Sequence, residues 1–283
     1  MEIKNIAVIG AGQMGQGIAQ TAAANGFTIF LADQNLESAQ KGLVKINAQL
    51  DKMLEKQKIT LLERSQISAN LNAVGSFAEL KDVDLVIEAV SENLDLKKKI
   101  WQELDREVKK EALFASNTSS ISITTLAACT KRSAQFAGMH FMNPVPIMKL
   151  VEGIRGIQTS SESFALIRKT AEKMGKTFVE VRDMPGFAVN RILMPMINEA
   201  VYVLYEGIAS AEDIDASMKL GTNQPMGPLT LADFIGLDTC LAIMEVLYQG
   251  FSDSKYRPCP LLKQYVSAGW LGKKTGRGFH RYE

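Results

Sequence analysis

The stretch IAVIGAGQMGQGIAQTAAANG, residues 6–26, constrains this chain more than any other. A short apolar run ends in Gly10-x-Gly12-x-x-Gly15, and an alanine-rich segment follows and stops near Gly26. The apolar run reads as a buried strand and the alanines as a helix. Between a strand and a helix, each glycine has a physical task. Gly10 permits the tight turn, Gly12 lets the backbone approach a pyrophosphate, and Gly15 lets helix and strand pack closely. The helix start offers N–H groups and a positive dipole end to phosphates. FTIFLAD, residues 27–33, reads as the next strand and ends in Asp33, 18 residues after Gly15. That carboxylate can hydrogen-bond both ribose hydroxyls and would repel a 2′-phosphate, which favours NAD over NADP. Such a glycine turn alone is a weak signal. Here strand, helix, spacing and acidic residue agree, so Gly10, Gly12, Gln13, Met14, Gly15 and Asp33 are expected to bind the dinucleotide. FAD is less favoured, because nothing else in the chain points to a flavin site.

The remaining pattern extends this beginning. Residues 36–70 carry a charged helical pattern too long for a simple crossover, which predicts a protruding helical pair. LNAV, VDLVIEAV, LFAS at 113–116, QFAGM at 135–139 and KTFVEVRD at 176–183 read as strands, the last at a sheet edge. Residues 94–110 read as an amphipathic helix with Trp101 inward. After PGF at 185–187 the spacing becomes purely helical, and Pro195 predicts a kink in the first long helix. The expected class is α/β: an N-terminal Rossmann-like domain with a mainly parallel sheet and a helical insert over residues 1–185, followed by an all-α domain over 186–283.

Composition narrows the function. The chain has 283 residues with 32 basic and 31 acidic side chains, a net charge of +1, so no general nucleic-acid binding is expected. The three cysteines, Cys129, Cys240 and Cys259, are widely spaced and form no C-x-x-C pair. That leaves no metal site expected and favours reduced thiols in a cytoplasmic protein. The N-terminus runs straight into structure, so no secretory signal is expected, and no apolar run reaches the ~18 residues of a membrane span.

Only two histidines occur, and one lies in GMHFMNPVP, residues 138–146. His140 follows a strand of the nucleotide domain, and ligands of open α/β sheets bind beyond the carboxyl ends of strands. A dehydrogenase needs a base for the hydroxyl proton, which histidine suits near neutral pH, together with a carboxylate to orient the ring. Glu152 follows a loop and extended segment that could fold back beside His140. Ser119 and Ser120 follow the LFAS strand, and Asn190 opens the long helix. Each also has a bland reading. A strand-end histidine is more often structural than catalytic, serines after a strand and an asparagine in a first turn are often caps, and Glu152 could be a solvated carboxylate.

Seven stretches carry a resemblance: VIGAGQMGQGIAQ, VIEAVSENLDLK, ASNTSSISIT, GMHFMNPVPIMKLVE, PGFAVNRILMPMINEA, NQPMGPLTLADFIGLD and AGWLGKKTGRGF. In this order they resemble the 3-hydroxyacyl-CoA dehydrogenase family, and most closely its stand-alone bacterial 3-hydroxybutyryl-CoA branch. The resemblance implies His140 as catalytic base, Glu152 as its partner, and Ser119 and Asn190 at the reacting part of the substrate. It implies Asp33, Glu92, Lys97, Ser119 and Asn143 around NAD. The implied reaction is the reversible oxidation of a (3S)-hydroxyacyl-CoA to a 3-oxoacyl-CoA such as acetoacetyl-CoA. Lys52 and Lys56, with Lys58 nearby, lie in the helical insert where the family meets the CoA tail; as bare sequence they read equally as a solvated face. A homodimer or larger homo-oligomer through the all-α domain is implied as well. Since the resemblance covers the whole chain, no second activity is expected.

Two positions depart from the family pattern. Gln224 stands where relatives often have histidine, and His280 follows Phe279 where they often have tyrosine, so His280 is expected at a surface or interface. Two other functions compete. A dehydrogenase of small free β-hydroxy acids would share the glycine start but rely on a lysine, which the histidine context opposes. A non-enzymatic, crystallin-like NAD-binding protein would not need Ser119, His140, Glu152 and Asn190 together.

Overall fold

The short apolar runs assemble into one sheet because the central ones are buried on both faces and all need neighbours for their backbone groups. The computed structural model describes residues 2–282. The strands are β1 (Asn5–Ile9), β2 (Thr28–Ala32), β3 (Leu71–Val74), β4 (Leu85–Glu88), β5 (Leu113–Ser116), β6 (Phe136–Phe141), β7 (Leu150–Arg155) and β8 (Thr177–Arg182). Their order is β3-β2-β1-β4-β5-β6-β7-β8, and every neighbouring pair is parallel except β6 and β7. The chain reverses its winding direction between β1 and β4, the place where open α/β sheets bind ligands.

Helices α1 (Gln13–Ala24), α2 (Leu36–Glu55), α3 (Leu61–Ala69), α4 (Leu94–Glu107), α5 (Ile123–Ala127) and α6 (Ser161–Lys173) complete the first unit. The expected helical insert is α2 and α3. Asn35 caps α2, and Thr60 with Glu63 forms a reciprocal box at the start of α3. In α4, Trp101 is fully buried against the rings of Phe114 and Phe136.

The chain divides after Met184 into two compact units. The second contains α7 (Val189–Tyr205), α8 (Ala211–Thr222), α9 (Pro228–Ile235), α10 (Leu237–Phe251) and α11 (Pro260–Ser267). Its core joins Ile197 and Val201 of α7 to Leu229, Leu237, Leu247 and Leu262. The helix α7 continues through Pro195.

The loop and extended segment before Glu152 do fold back beside His140: β7 begins at Leu150 and is the antiparallel partner of β6. The loop-like prolines left its pairing open, because that pairing is decided by a neighbour 12 residues away. His280, expected at a surface or interface with no partner assigned, is partly buried and paired. Its Nε2 lies 2.9 Å from Asp215 Oδ2, and its backbone N–H donates to Asp233, which fastens the C-terminal tail to α8 and α9.

Candidate active site

Local geometry explains the glycines. Gly10 has φ +104°, and a Cβ there would meet the carbonyl oxygen of Ala89 at 2.7 Å. A Cβ on Gly15 would lie 1.7 Å from the Gly10 carbonyl oxygen, so only glycine lets α1 sit this close to the turn. Gly12 is the opposite case: no atom lies within 4 Å of the Cβ position, and its backbone faces open space. It precedes α1 without a side-chain cap, and no acidic residue occupies the first turn. The helix start is therefore a cradle for an anion, chemically suited to a pyrophosphate.

Beside it, Asp33 Oδ2 accepts from Ala11 N–H at 2.6 Å and Oδ1 from Gln34 N–H at 2.7 Å. A cavity of about 520 Å³ opens here, lined by Gly10, Gly12, Asp33, Ser76, Val90 and Glu103 among others. Among the described residues, no lysine or arginine lines it. Met14 packs against the apolar core, while Gln13 Nε2 donates to Asn143 Oδ1 at 3.1 Å. The glycine loop and the β6–β7 connection are thus joined by two side chains singled out from sequence.

A polar cluster, buried at Glu88 and Lys97 and open to solvent at Glu92, stands at the ends of β4 and β5. Lys97, 1% exposed, donates to Glu88 Oε1 at 2.5 Å and pairs with Glu92 Oε2 at 3.3 Å. Glu92 Oε1 accepts from the hydroxyls of Thr118 and Ser120 and from the backbone N–H of Ser119 and Ser120, both at 3.0 Å. Partial burial pushes the Glu92 carboxyl up, but Lys97 and the hydrogen bonds from Thr118 and Ser120 outweigh it and hold the group below its ordinary value. Ser119 and Ser120 do not cap α5; Ser122 does.

His140 is the penultimate residue of β6 and lies directly opposite Glu152 in the register. Its Nδ1 is 2.8 Å from Glu152 Oε2, with the two residues 8% and 1% exposed. Side chains directly opposite on antiparallel strands share a face, so the one antiparallel pair of the sheet brings the two groups together. Gly153 makes room for the arrangement, since a Cβ there would lie 1.8 Å from the ring of Phe178. The connection between β6 and β7 is fixed by Lys176, whose ammonium donates to the carbonyls of Val145 and Met148.

Asn190 lies in the first turn of α7, in the second unit. Lys52 is exposed in the last turn of α2, and Lys56, also exposed, stands one residue past Glu55 as its C-cap. Three residues escaped the sequence reading: Glu88, Lys176 and Asn117, whose Oδ1 accepts from Phe141 N–H. A glutamate closing the apolar run of VIEA was the available signal for Glu88. Nothing in the local pattern marks the other two.

The sequence model of the 3-hydroxyacyl-CoA dehydrogenase NAD-binding domain matches residues 5–184, and that of the C-terminal domain matches residues 186–282. The chain belongs to the 3-hydroxyacyl-CoA dehydrogenase family. It is 57% identical over 283 residues to a probable 3-hydroxybutyryl-CoA dehydrogenase of Bacillus subtilis, covering 100% of this chain and 99% of the relative. A 3-hydroxybutyryl-CoA dehydrogenase of Bradyrhizobium diazoefficiens is 53% identical over 280 residues, 99% and 96% of the two chains. The crystal structure of (S)-3-hydroxybutyryl-CoA dehydrogenase from Ralstonia eutropha superposes with a TM-score of 0.97 at 50% identity, covering 100% of both chains. As a member of this family the protein is an oxidoreductase with an NAD-binding domain of Rossmann type. No helix among the described residues is long and apolar enough to cross a membrane.

Proposed function

We propose that this protein catalyses the reversible oxidation of a (3S)-hydroxyacyl-CoA, 3-hydroxybutyryl-CoA foremost, to the 3-oxoacyl-CoA, with NAD as the preferred cofactor. The hydrogen bond of 2.8 Å between His140 and Glu152 carries this reading. A carboxylate on Nδ1 keeps that nitrogen protonated and assigns proton exchange to Nε2. Nicotinamide, when bound, exchanges a hydride with the β-carbon of the substrate. His140 takes the hydroxyl proton in the oxidative direction and returns it in the reductive one, while Glu152 stabilises the imidazolium and fixes the ring.

Other residues take supporting roles. The cradle at Gly10, Gly12, Gln13, Met14 and Gly15 holds the pyrophosphate, and Asp33 the ribose. The absence of a lining lysine or arginine favours a ribose without a 2′-phosphate. Glu92, Lys97 and Asn143 shape the nicotinamide end. Ser119 and Asn190 are assigned contacts with the reacting part of the substrate, and Lys52 and Lys56 with the phosphate of the CoA tail. The helical unit leaves Ile192, Ile208 and Leu220 exposed by 67% or more, which supports a homodimer or larger assembly through it. Three free cysteines support a cytoplasmic location.

The test is NADH oxidation with acetoacetyl-CoA, comparing the parent protein with His140→Ala. Strong turnover abolished by the substitution supports both reaction and base. NADH binding without turnover would overturn the substrate assignment and leave a free hydroxy acid or a binding role.

A further inference from the structure

Glu88 touches neither the proposed pyrophosphate cradle nor the proposed base, yet it is among the most enclosed charges in the protein. It ends β4 with 0% exposure. Its Oε1 accepts from Lys97 and from Val90 N–H at 2.8 Å, and its Oε2 accepts from the Ser116 hydroxyl at 2.7 Å. Ser116 Oγ in turn accepts from Thr118 N–H at 3.2 Å. Polar contacts therefore close a ring: Ser116, Glu88, Lys97, Glu92, then the backbone of Ser119 and back through Thr118. The ring ties the loop after β4 to the loop after β5, both at the ligand edge of the sheet. Removing Glu88 leaves the buried ammonium of Lys97 with one carboxylate at 3.3 Å and frees it to move.

Formal charge adds a second consequence. Glu88, Lys97 and Glu92 sum to −1; Glu88 and Lys97 are enclosed where screening by water is weak, and Glu92 stands at the open side of the cluster with 36% of its side chain exposed. Glu88, Ser116 and Gly138 stand in one row across β4, β5 and β6, and His140 lies two residues beyond Gly138. From strand spacing and rise, the cluster sits roughly 12 Å from the His140 backbone. Any hydride carrier serving His140 must lie near this charge.

We infer that Glu88 is a positioning residue for the proposed reaction: it anchors Lys97, and through Lys97 and Glu92 the Ser119 loop, and it gives the cluster the negative charge that favours the cationic, oxidised nicotinamide over the neutral, reduced one. The inference rests on the cofactor and base proposed above.

Glu88→Gln keeps the shape and brings the cluster to zero charge. Dissociation constants for NAD⁺ and NADH are measured separately by calorimetry, together with kcat for acetoacetyl-CoA reduction. The expected result is a Kd for NAD⁺ that rises threefold to tenfold relative to that for NADH, the range a unit charge at this separation produces. Glu88→Gln/Lys97→Met restores the charge of −1 without restoring the anchor, so its Kd ratio should return to the parental value while kcat stays at least tenfold low. An unaltered Kd ratio in Glu88→Gln overturns the charge role. If the single variant does not fold, parental kcat in the double variant overturns the anchoring role. A parent protein that binds both cofactor forms but reduces no acetoacetyl-CoA overturns the proposed substrate alone, since the Kd ratios are read without it.

Discussion

Replacing Glu152 by glutamine removes one charge from a buried pair and changes almost nothing else. Oε2 lies 2.8 Å from His140 Nδ1, and the glutamate is 1% exposed, so no water takes over its role. A hydrogen bond to a charged group contributes about 1.5–3 kcal/mol. A full charge pair at about 4 Å between charge centres gives roughly 4 kcal/mol at an effective dielectric of 20. The imidazolium that forms as substrate loses its proton should therefore be destabilised by about 2–4 kcal/mol, a fall in kcat of roughly 30- to 1000-fold. Cofactor binding should hardly change. Four strand spacings separate β1, which carries the glycine loop, from β7, which carries Glu152, or roughly 19 Å. The assay is NADH consumption with acetoacetyl-CoA for kcat, and NADH fluorescence for Kd. Turnover within threefold of the parent would refute the argument that this carboxylate stabilises the imidazolium. A comparable rise in the NADH Kd would refute the claim that the two halves of the site are energetically separate.

The glycines make a contrasting pair. Gly15→Ala forces a Cβ onto the Gly10 carbonyl and should lower Tm by about 3–10 °C, the range expected for overpacking a tight contact. Gly12→Ala meets nothing, so it should keep the parental Tm while weakening NADH binding; equal thermal loss in both would contradict the geometry. For Glu92, held below its ordinary value, the stabilisation is present above about pH 4.5 and is lost as pH falls through the lower folded-state value. The Tm gap between parent and Glu92→Gln should thus stay constant from neutral pH to about pH 5 and narrow below that; a gap that widens on acidification would reverse the assignment. Burial, then nearby Asp238 and Asp233, push the Cys240 thiol up to about 12, and Cys259 is enclosed as well. A thiol reagent at pH 8 should modify at most one of the three cysteines in the folded protein and all three in urea, read by mass spectrometry.

Short-range physics accounts for what was legible. Strand, glycine turn, helix and acidic strand end lie within 33 residues, and each follows from local backbone sterics and burial, so sequence alone determined the Rossmann-like beginning, the helical insert and the helical character of the second unit. The family resemblance carried the candidate residues beyond that local reading. It could name Glu92 and Lys97, but not that Lys97 is enclosed between two carboxylates, because Glu88 and Ser116 meet only through the register of β4 and β5. The same limit left β7 an extended segment without a partner: prolines and a loop-like composition gave no period, and only pairing with β6 makes Leu150–Arg155 a strand. His140 and Glu152 are 12 residues apart in sequence, and nothing in those residues sets the distance between them. The tertiary structure decided it through a single antiparallel pairing, β6 with β7, in an otherwise parallel sheet, since hydrogen-bonded register, unlike local propensity, is a property of two segments at once.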